Sequence, residues 1–148
     1  MSDSPIARAM YLPVLMAGAA LAGAAPACAA PATVSGPARL SLSAPASAAG
    51  DDYVEIAVNA FRPASDGPVQ FVVDGKCGGA VTEIGRFGVF PGRAFGPGDP
   101  GRVQRFSLPV PASLRCAGLD AVTVRLVPTL GRGVGASAEV EGRLVRHD

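Results

Sequence analysis

The stretch from Leu119 to Arg146 holds two runs in which apolar and polar side chains alternate with a period of two, separated by a glycine turn. Val122, Val124 and Leu126 alternate with Thr123, Arg125 and Val127, as in a half-buried strand. Pro128 has no N–H to give to a ladder, so the first strand, 121–128, ends there. Gly131, Gly133 and Gly135 allow the chain to turn, and a second strand over 137–145 returns Val140 and Leu144 to the apolar face. The expectation is a hairpin.

The same period recurs upstream. Val54, Ile56 and Val58 face one way between Tyr53 and Phe61, and Glu55, Ala57 and Asn59 face the other. Asp66-Gly67 is a turn pair, Val69–Val73 is the next strand, and these two strands read as a hairpin with a longer loop. Asp74-Gly75 is expected to end the second of them. Ala80–Ile84 and Arg102–Leu108 add two more strands. With 14 prolines and 19 glycines in 148 residues, turns come every ten or so positions. That spacing predicts an all-β fold, an antiparallel sandwich or barrel of about six or seven strands. The chain has no tryptophan, so the core pin of an immunoglobulin domain is missing.

The N-terminus has a different character. Arg8 precedes an alanine-rich apolar run from Ala9 to Ala25, and Ala27-Cys28-Ala29 has the small-x-small spacing that a signal peptidase accepts. Residues 1–29 read as a cleavable signal helix, cut near Ala29 or Ala30, and the mature chain as secreted or periplasmic. Two readings stand beside this one. Cys28 could be lipidated, although Ala25-Pro26-Ala27 lacks the leucine of a lipobox; or the run could remain as an anchor, which Pro13, Gly18 and Gly23 weaken. No other membrane contact is expected. Residues 30–50, rich in Ala, Pro and Ser, read as a tether, within which Arg39–Ser43 could pair as an edge strand. The β-domain then occupies 51–148.

Export leaves Cys77 and Cys116 as an even pair in an oxidising compartment, where a disulfide is expected. The chain-entropy model gives closure of that loop about 4 kcal/mol as an upper figure. Two thiols on a metal is the rival reading, but such a site needs further ligands, and the one histidine, His147, is next to the C-terminus.

That histidine count also limits the chemistry. A serine or cysteine nucleophile needs a base beside it, and a blue-copper site needs two histidines. The glycines of 85–101 lack a Gly-Lys-Ser/Thr phosphate loop, and Asp51-Asp52 lacks calcium-loop spacing. A formal charge of +1 gives no electrostatic case for nucleic acid. A small hydrolase assembled from dispersed carboxylates is a third reading, and no pair is singled out for it. The expectation is a protein without catalytic, cofactor or metal residues. The long segment 85–101 is the exception to the strand pattern. It carries Arg86, Phe87, Phe90, Arg93 and Phe95, an aromatic set that is either a partner-contact loop or one whose Phe87 and Phe90 fold back as plugs on the sandwich end.

Val122-Thr-Val-Arg-Leu-Val-Pro128, the glycines after it and Val140-Glu-Gly-Arg-Leu144 resemble the closing hairpin of the C-terminal domain of tyrosinases and plant polyphenol oxidases. Tyr53–Asn59 is similar to that domain's opening Phe-x-Val-x-Val-Asn strand. Cys77-Gly-Gly-Ala-Val81 with Phe87 to Pro91 is similar to its Ala-Gly-Ser-Phe segment. The resemblance covers residues 53–146. It implies a β-sandwich or barrel without copper ligands that packs over the dicopper site of a catalytic domain, with an inserted side chain holding the enzyme latent. These residues carry none of the copper-binding histidines, so tyrosinase activity does not carry over, and the cysteine pair is not general in the family. What the resemblance implies here is an accessory or shielding role toward a separately encoded type-3 copper oxidase, with Phe87, Phe90 and Phe95 as plug candidates and Arg86 and Arg93 as their rim. The alternative is a free-standing periplasmic or surface sandwich that binds a protein or glycan.

Overall fold

The structure, a computed structural model, describes residues 28–42, 51–115 and 119–147. It is all-β, with eight strands: β1 (Ala30–Thr33), β2 (Ala38–Ser41), β3 (Asp51–Arg62), β4 (Val69–Cys77), β5 (Ala80–Phe87), β6 (Gln104–Pro109), β7 (Ala121–Pro128) and β8 (Ser137–His147). They form two antiparallel sheets, β1-β8-β3-β6 and β2-β7-β4-β5, here called A and B.

The pairing has a simple logic. β4 pairs with β5, β3 with β6, β2 with β7 and β1 with β8. The chain is therefore one long hairpin bent at its midpoint and rolled into two layers, the jelly-roll arrangement. Rolling adds the β3–β8 and β4–β7 contacts that complete each sheet. The midpoint is the two-residue turn Gly78-Gly79, with φ of 58° and 95°. Positive φ at both positions is what a type I′ hairpin turn requires, and glycine meets it at least steric cost.

This topology corrects two pairings expected from the sequence. β7 and β8 are not a hairpin: they lie in different sheets, as do β3 and β4. Val122, Val124 and Leu126 of β7 face Val140 of β8 across the core, all at most 2% exposed. Alternation fixes which face of a strand is apolar, but it is the same for strands side by side and strands face to face. β4 also runs on through Asp74 and Gly75 to Cys77, past its expected end.

The tether expected over 30–50 is corrected as well, because 30–42 carries β1 and β2. Ala32, Ala38, Leu40 and Leu42 of this stretch are buried in the core. Small residues suit edge strands that lie close over a neighbouring layer, and a composition rich in alanine hid them. Pro31 is tolerated because β1 is at the edge of sheet A. The suggested edge strand near Arg39 corresponds to β2. The signal helix, and Cys116 with the Cys77 side chain, lie outside the described residues.

Two β-bulges set the core's shape. In the β3–β8 ladder Val58 opposes Val140 and Ala60 opposes Glu139, so Asn59 is the extra residue. The bulge reverses the alternation and turns Phe61 inward. In the β4–β5 ladder Val73 opposes Gly85 and Asp74 opposes Glu83, which makes Ile84 the extra residue.

At one end, the β3–β4 and β7–β8 loops are joined. Ser65 N–H donates to the Val134 carbonyl (3.0 Å) and Thr129 N–H to the Pro68 carbonyl (3.0 Å). The Asp66 carboxylate accepts from the N–H groups of Arg132 (2.6 Å) and Val134 (2.7 Å). Gly131 has φ of 70°, and a Cβ there would collide with the Asp66 carbonyl oxygen.

Replacing either Gly79 or Gly131 with alanine places an L residue at positive φ, at about 1–2 kcal/mol. Around Gly79 a Cβ meets nothing within 4 Å, so the cost stops there. Gly131→Ala must also separate the joined loops, and urea denaturation should show it clearly less stable than Gly79→Ala. The disulfide expectation is directly testable too. Leu114 and Leu119, which flank the Cys116 segment, pack within 2.6 Å and 3.2 Å of the Cβ position of Gly75, two residues from Cys77. A non-reduced digest should yield a Cys77–Cys116 peptide, and reduction should lower stability by about 2–4 kcal/mol.

Candidate functional site

Five of the six phenylalanines form one continuous chain of ring contacts. Phe95 meets Phe61 (6.3 Å between centroids), and Phe61 meets Phe71 (5.9 Å). Phe71 stacks on Phe87 (4.8 Å), and Phe87 on Phe106 (4.0 Å). The chain crosses from sheet A to sheet B and back. Aromatic pairs in offset or tilted contact add about 0.5–1.5 kcal/mol each beyond their burial.

The long loop between β5 and β6 is tied to this chain at three points: it leaves from Phe87, touches down at Phe95 and returns into β6 before Phe106. Phe95 and Phe61 exchange both backbone hydrogen bonds (2.9 and 3.0 Å), so the loop extends the edge of sheet A beyond the start of β6. The sixth phenylalanine, Phe90, is 87% exposed. Its backbone is nevertheless held. The Gln104 side-chain amide accepts from the Phe90 N–H (3.1 Å) and donates to the Phe90 carbonyl (2.9 Å), as a neighbouring strand would. Arg102 donates to the Ala94 carbonyl (3.5 Å) on the far limb of the loop.

The aromatic set read from the sequence therefore divides, and the pairing of Phe87 with Phe90 as folded-back plugs is corrected. Phe87 and Phe95 fold back onto the core. Phe90 points outward, with Arg93 and Phe95 around the same cavity of about 250 Å³, which Pro91 and Gln104 also line. Arg86 is elsewhere, on the outer face of β5. There its guanidinium donates twice to Glu83 (2.7 Å each), which holds the Glu83 carboxyl below its ordinary range. Gln104 was not anticipated, and the sequence carries no sign of it: a glutamine at a strand start is an ordinary surface residue until the loop that it clamps is known.

Val81 is exposed near the start of β5, and other large apolar side chains are exposed at Val34, Leu130 and Val134. The last three sit on the β1–β2 and β7–β8 loops, and Val34 lies against Gly133. Among the described residues no group of three or more His, Cys, Asp or Glu could hold a metal ion, and no helix is long and apolar enough to cross a membrane.

Comparison of the chain with protein-family models, curated proteins and solved structures gives no match. The geometry stands by itself.

The Asp66 clamp at this end titrates. Two backbone N–H bonds, from Arg132 first and then Val134, hold its carboxyl below the ordinary value of 3.8. A depressed folded-state pKa gives stability that is present above the unfolded value and is lost as pH falls through the folded one. Asp66→Ala should therefore be less stable than the parent at pH 7, and the gap should close toward pH 2 in paired urea titrations.

Proposed function

We propose that this chain is a non-catalytic exported cap that shields the site of a separately encoded type-3 copper oxidase, with Phe90 as the inserted side chain. The observation that carries the reading is the way Phe90 is displayed. A phenylalanine exposed at 87% costs solubility, whereas Gln104 holds its backbone at both polar groups. A loop whose backbone is already held loses little entropy when the ring it carries enters a concave mouth, and such rings dominate binding energetics. Phe87 and Phe95 brace the loop and leave the insertion to Phe90 alone. The class of partner comes from the sequence resemblance of 53–146 to the tyrosinase and polyphenol oxidase C-terminal domain alone; the segments that resemble that family's closing hairpin are β7 and β8, which lie in different sheets here.

Five carboxylates have structural partners, which fits a non-catalytic role: Asp66 and Glu83 are shifted downward by their hydrogen bonds, and Asp52, Glu55 and Asp74 are paired with arginines at 2.6, 2.8 and 2.6 Å.

Mixing the chain with a type-3 copper oxidase encoded beside it should suppress diphenol oxidation. Phe90→Ala should weaken that suppression by roughly thirtyfold, the scale of a hot-spot truncation, with an unchanged thermal midpoint. Gln104→Ala should lose part of the effect by loosening the loop. Full suppression by Phe90→Ala would sink the proposal.

A further inference from the structure

The outer face of sheet B carries a second concave feature, distant in the fold from Phe90. A groove of about 510 Å³ runs across β2, β7 and β4 toward the Gly78-Gly79 turn. Its shape follows from the register. Arg39 of β2, Thr123 of β7, Asp74 of β4 and Glu83 of β5 form one row across the sheet. The central strand contributes small side chains, Ala121 and Thr123, while its neighbours contribute long ones, Arg39 and Lys76. Small residues between tall ones make a trough.

The charges are arranged as well as present. Asp74 is 8% exposed, the one buried charged residue among those described. Burying a carboxylate is costly unless it is paired, and Asp74 accepts from Arg125 Nε at 2.6 Å. That bond fixes the guanidinium at the groove wall and holds it firmly protonated. Arg125 and Arg86 flank Val72 on either side, and Val72 is 1% exposed although it points away from the core, so the arginine stems cover it. Arg39 and Lys76 are exposed and make no salt bridge among the described residues. Asp120 stands at the rim.

Two cations without an acidic partner among the described residues, Arg39 and Lys76, and the Asp74-paired Arg125 line a trough whose floor has a hydroxyl, Thr123, and whose rim has a carboxylate, Asp120. A bare anion has no use for Asp120 and would be repelled by it. A ligand that bears both a carboxylate and hydroxyls uses the polar groups of both signs: the cations take the carboxylate, and Asp120 and Thr123 take hydroxyls, with the exposed Val81 at the edge of the groove. We propose that this groove binds an acidic sugar residue, a uronate within a saccharide chain lying along the trough. The Phe90 loop has no part in it, so either proposal can fail without the other.

Calorimetric titration of the purified chain with tri-galacturonate, with its carboxyl-reduced neutral counterpart, and with sodium acetate tests the assignment. The acidic trisaccharide should bind, and its affinity should fall roughly tenfold in Arg39→Ala and again in Lys76→Ala, the scale of a lost charge-assisted hydrogen bond. Both residues are exposed, so the variants should keep the parent's thermal midpoint. Thr123→Val, which keeps the shape of the floor and removes its hydroxyl, should weaken binding severalfold. Equal binding of the neutral trisaccharide, or affinity unchanged in the Arg39→Ala/Lys76→Ala double variant, would overturn the proposal. Acetate competing as well per carboxylate as the trisaccharide would also overturn it, because the groove would then read charge alone.

Discussion

The contact between Phe71 and its ring neighbours holds the layers of this protein together. Phe71 is in sheet B and fully buried, with Phe61 of sheet A on one side and Phe87 of its own sheet on the other; Phe87 then reaches Phe106 in sheet A. A rolled hairpin must keep its two layers in register at the side where the longest connection leaves. Here that connection, the β5–β6 loop, starts at Phe87 and returns into the strand that carries Phe106. The loop can be long without being loose, because the core claims its base and its middle. Only the tip, at Phe90, escapes the aromatic cluster, and Gln104 takes hold of its backbone instead.

How much of this was legible in the sequence depends on which physical rule was in force. Period-two alternation located β3, the first part of β4, β5, β6, β7 and β8, because burial of one face imposes that period whatever the pairing. It could not say which strand lay beside which, so two hairpins were expected where the chain crosses between layers. The Asn59 bulge was also invisible: strict alternation from Val54, Ile56 and Val58 would turn Phe61 to solvent, and one extra residue reverses it. β1 and β2 were hidden by small residues. Ala32 and Ala38 are core residues by position, and hydrophobic patterning sees little in an alanine. The site divided in the same way. Phe90, Arg93 and Phe95 were found as a loop cluster, whereas Arg86 belonged to a strand face and Gln104 had no signature.

The two solvent faces show how similar ingredients give different surfaces. On sheet A the Glu55 carboxylate lies between Arg143 (2.8 Å) and Arg105 (3.5 Å), one from each neighbouring strand. The arginines lean inward over a central acid and leave a hollow of about 50 Å³. On sheet B the acid is on β4 beside the trough, and the central β7 offers Ala121 and Thr123. The arginine it holds, Arg125, stands at the wall instead of lying across the floor. Each face pairs one carboxylate of a central strand, Glu55 or Asp74, with arginine. What decides whether a concavity remains is the size of the residues on the strand between the charged ones, a property of register that the roll of the hairpin determines.

That separation has a consequence for how such a protein can change. The groove is built on strand faces, where each side chain is placed by the ladder and a substitution at Arg39 or Lys76 leaves the core untouched. The projecting ring is built on a loop, where its position depends on Gln104 and on the braces at Phe87 and Phe95. A strand-face site tolerates altered chemistry but not altered register, because a one-residue slip would send Thr123 and Asp74 to the core. A loop site tolerates altered length between its anchors but not loss of the clamp. The two surfaces can therefore vary independently, on a core whose closure depends on five rings and a pair of bulges.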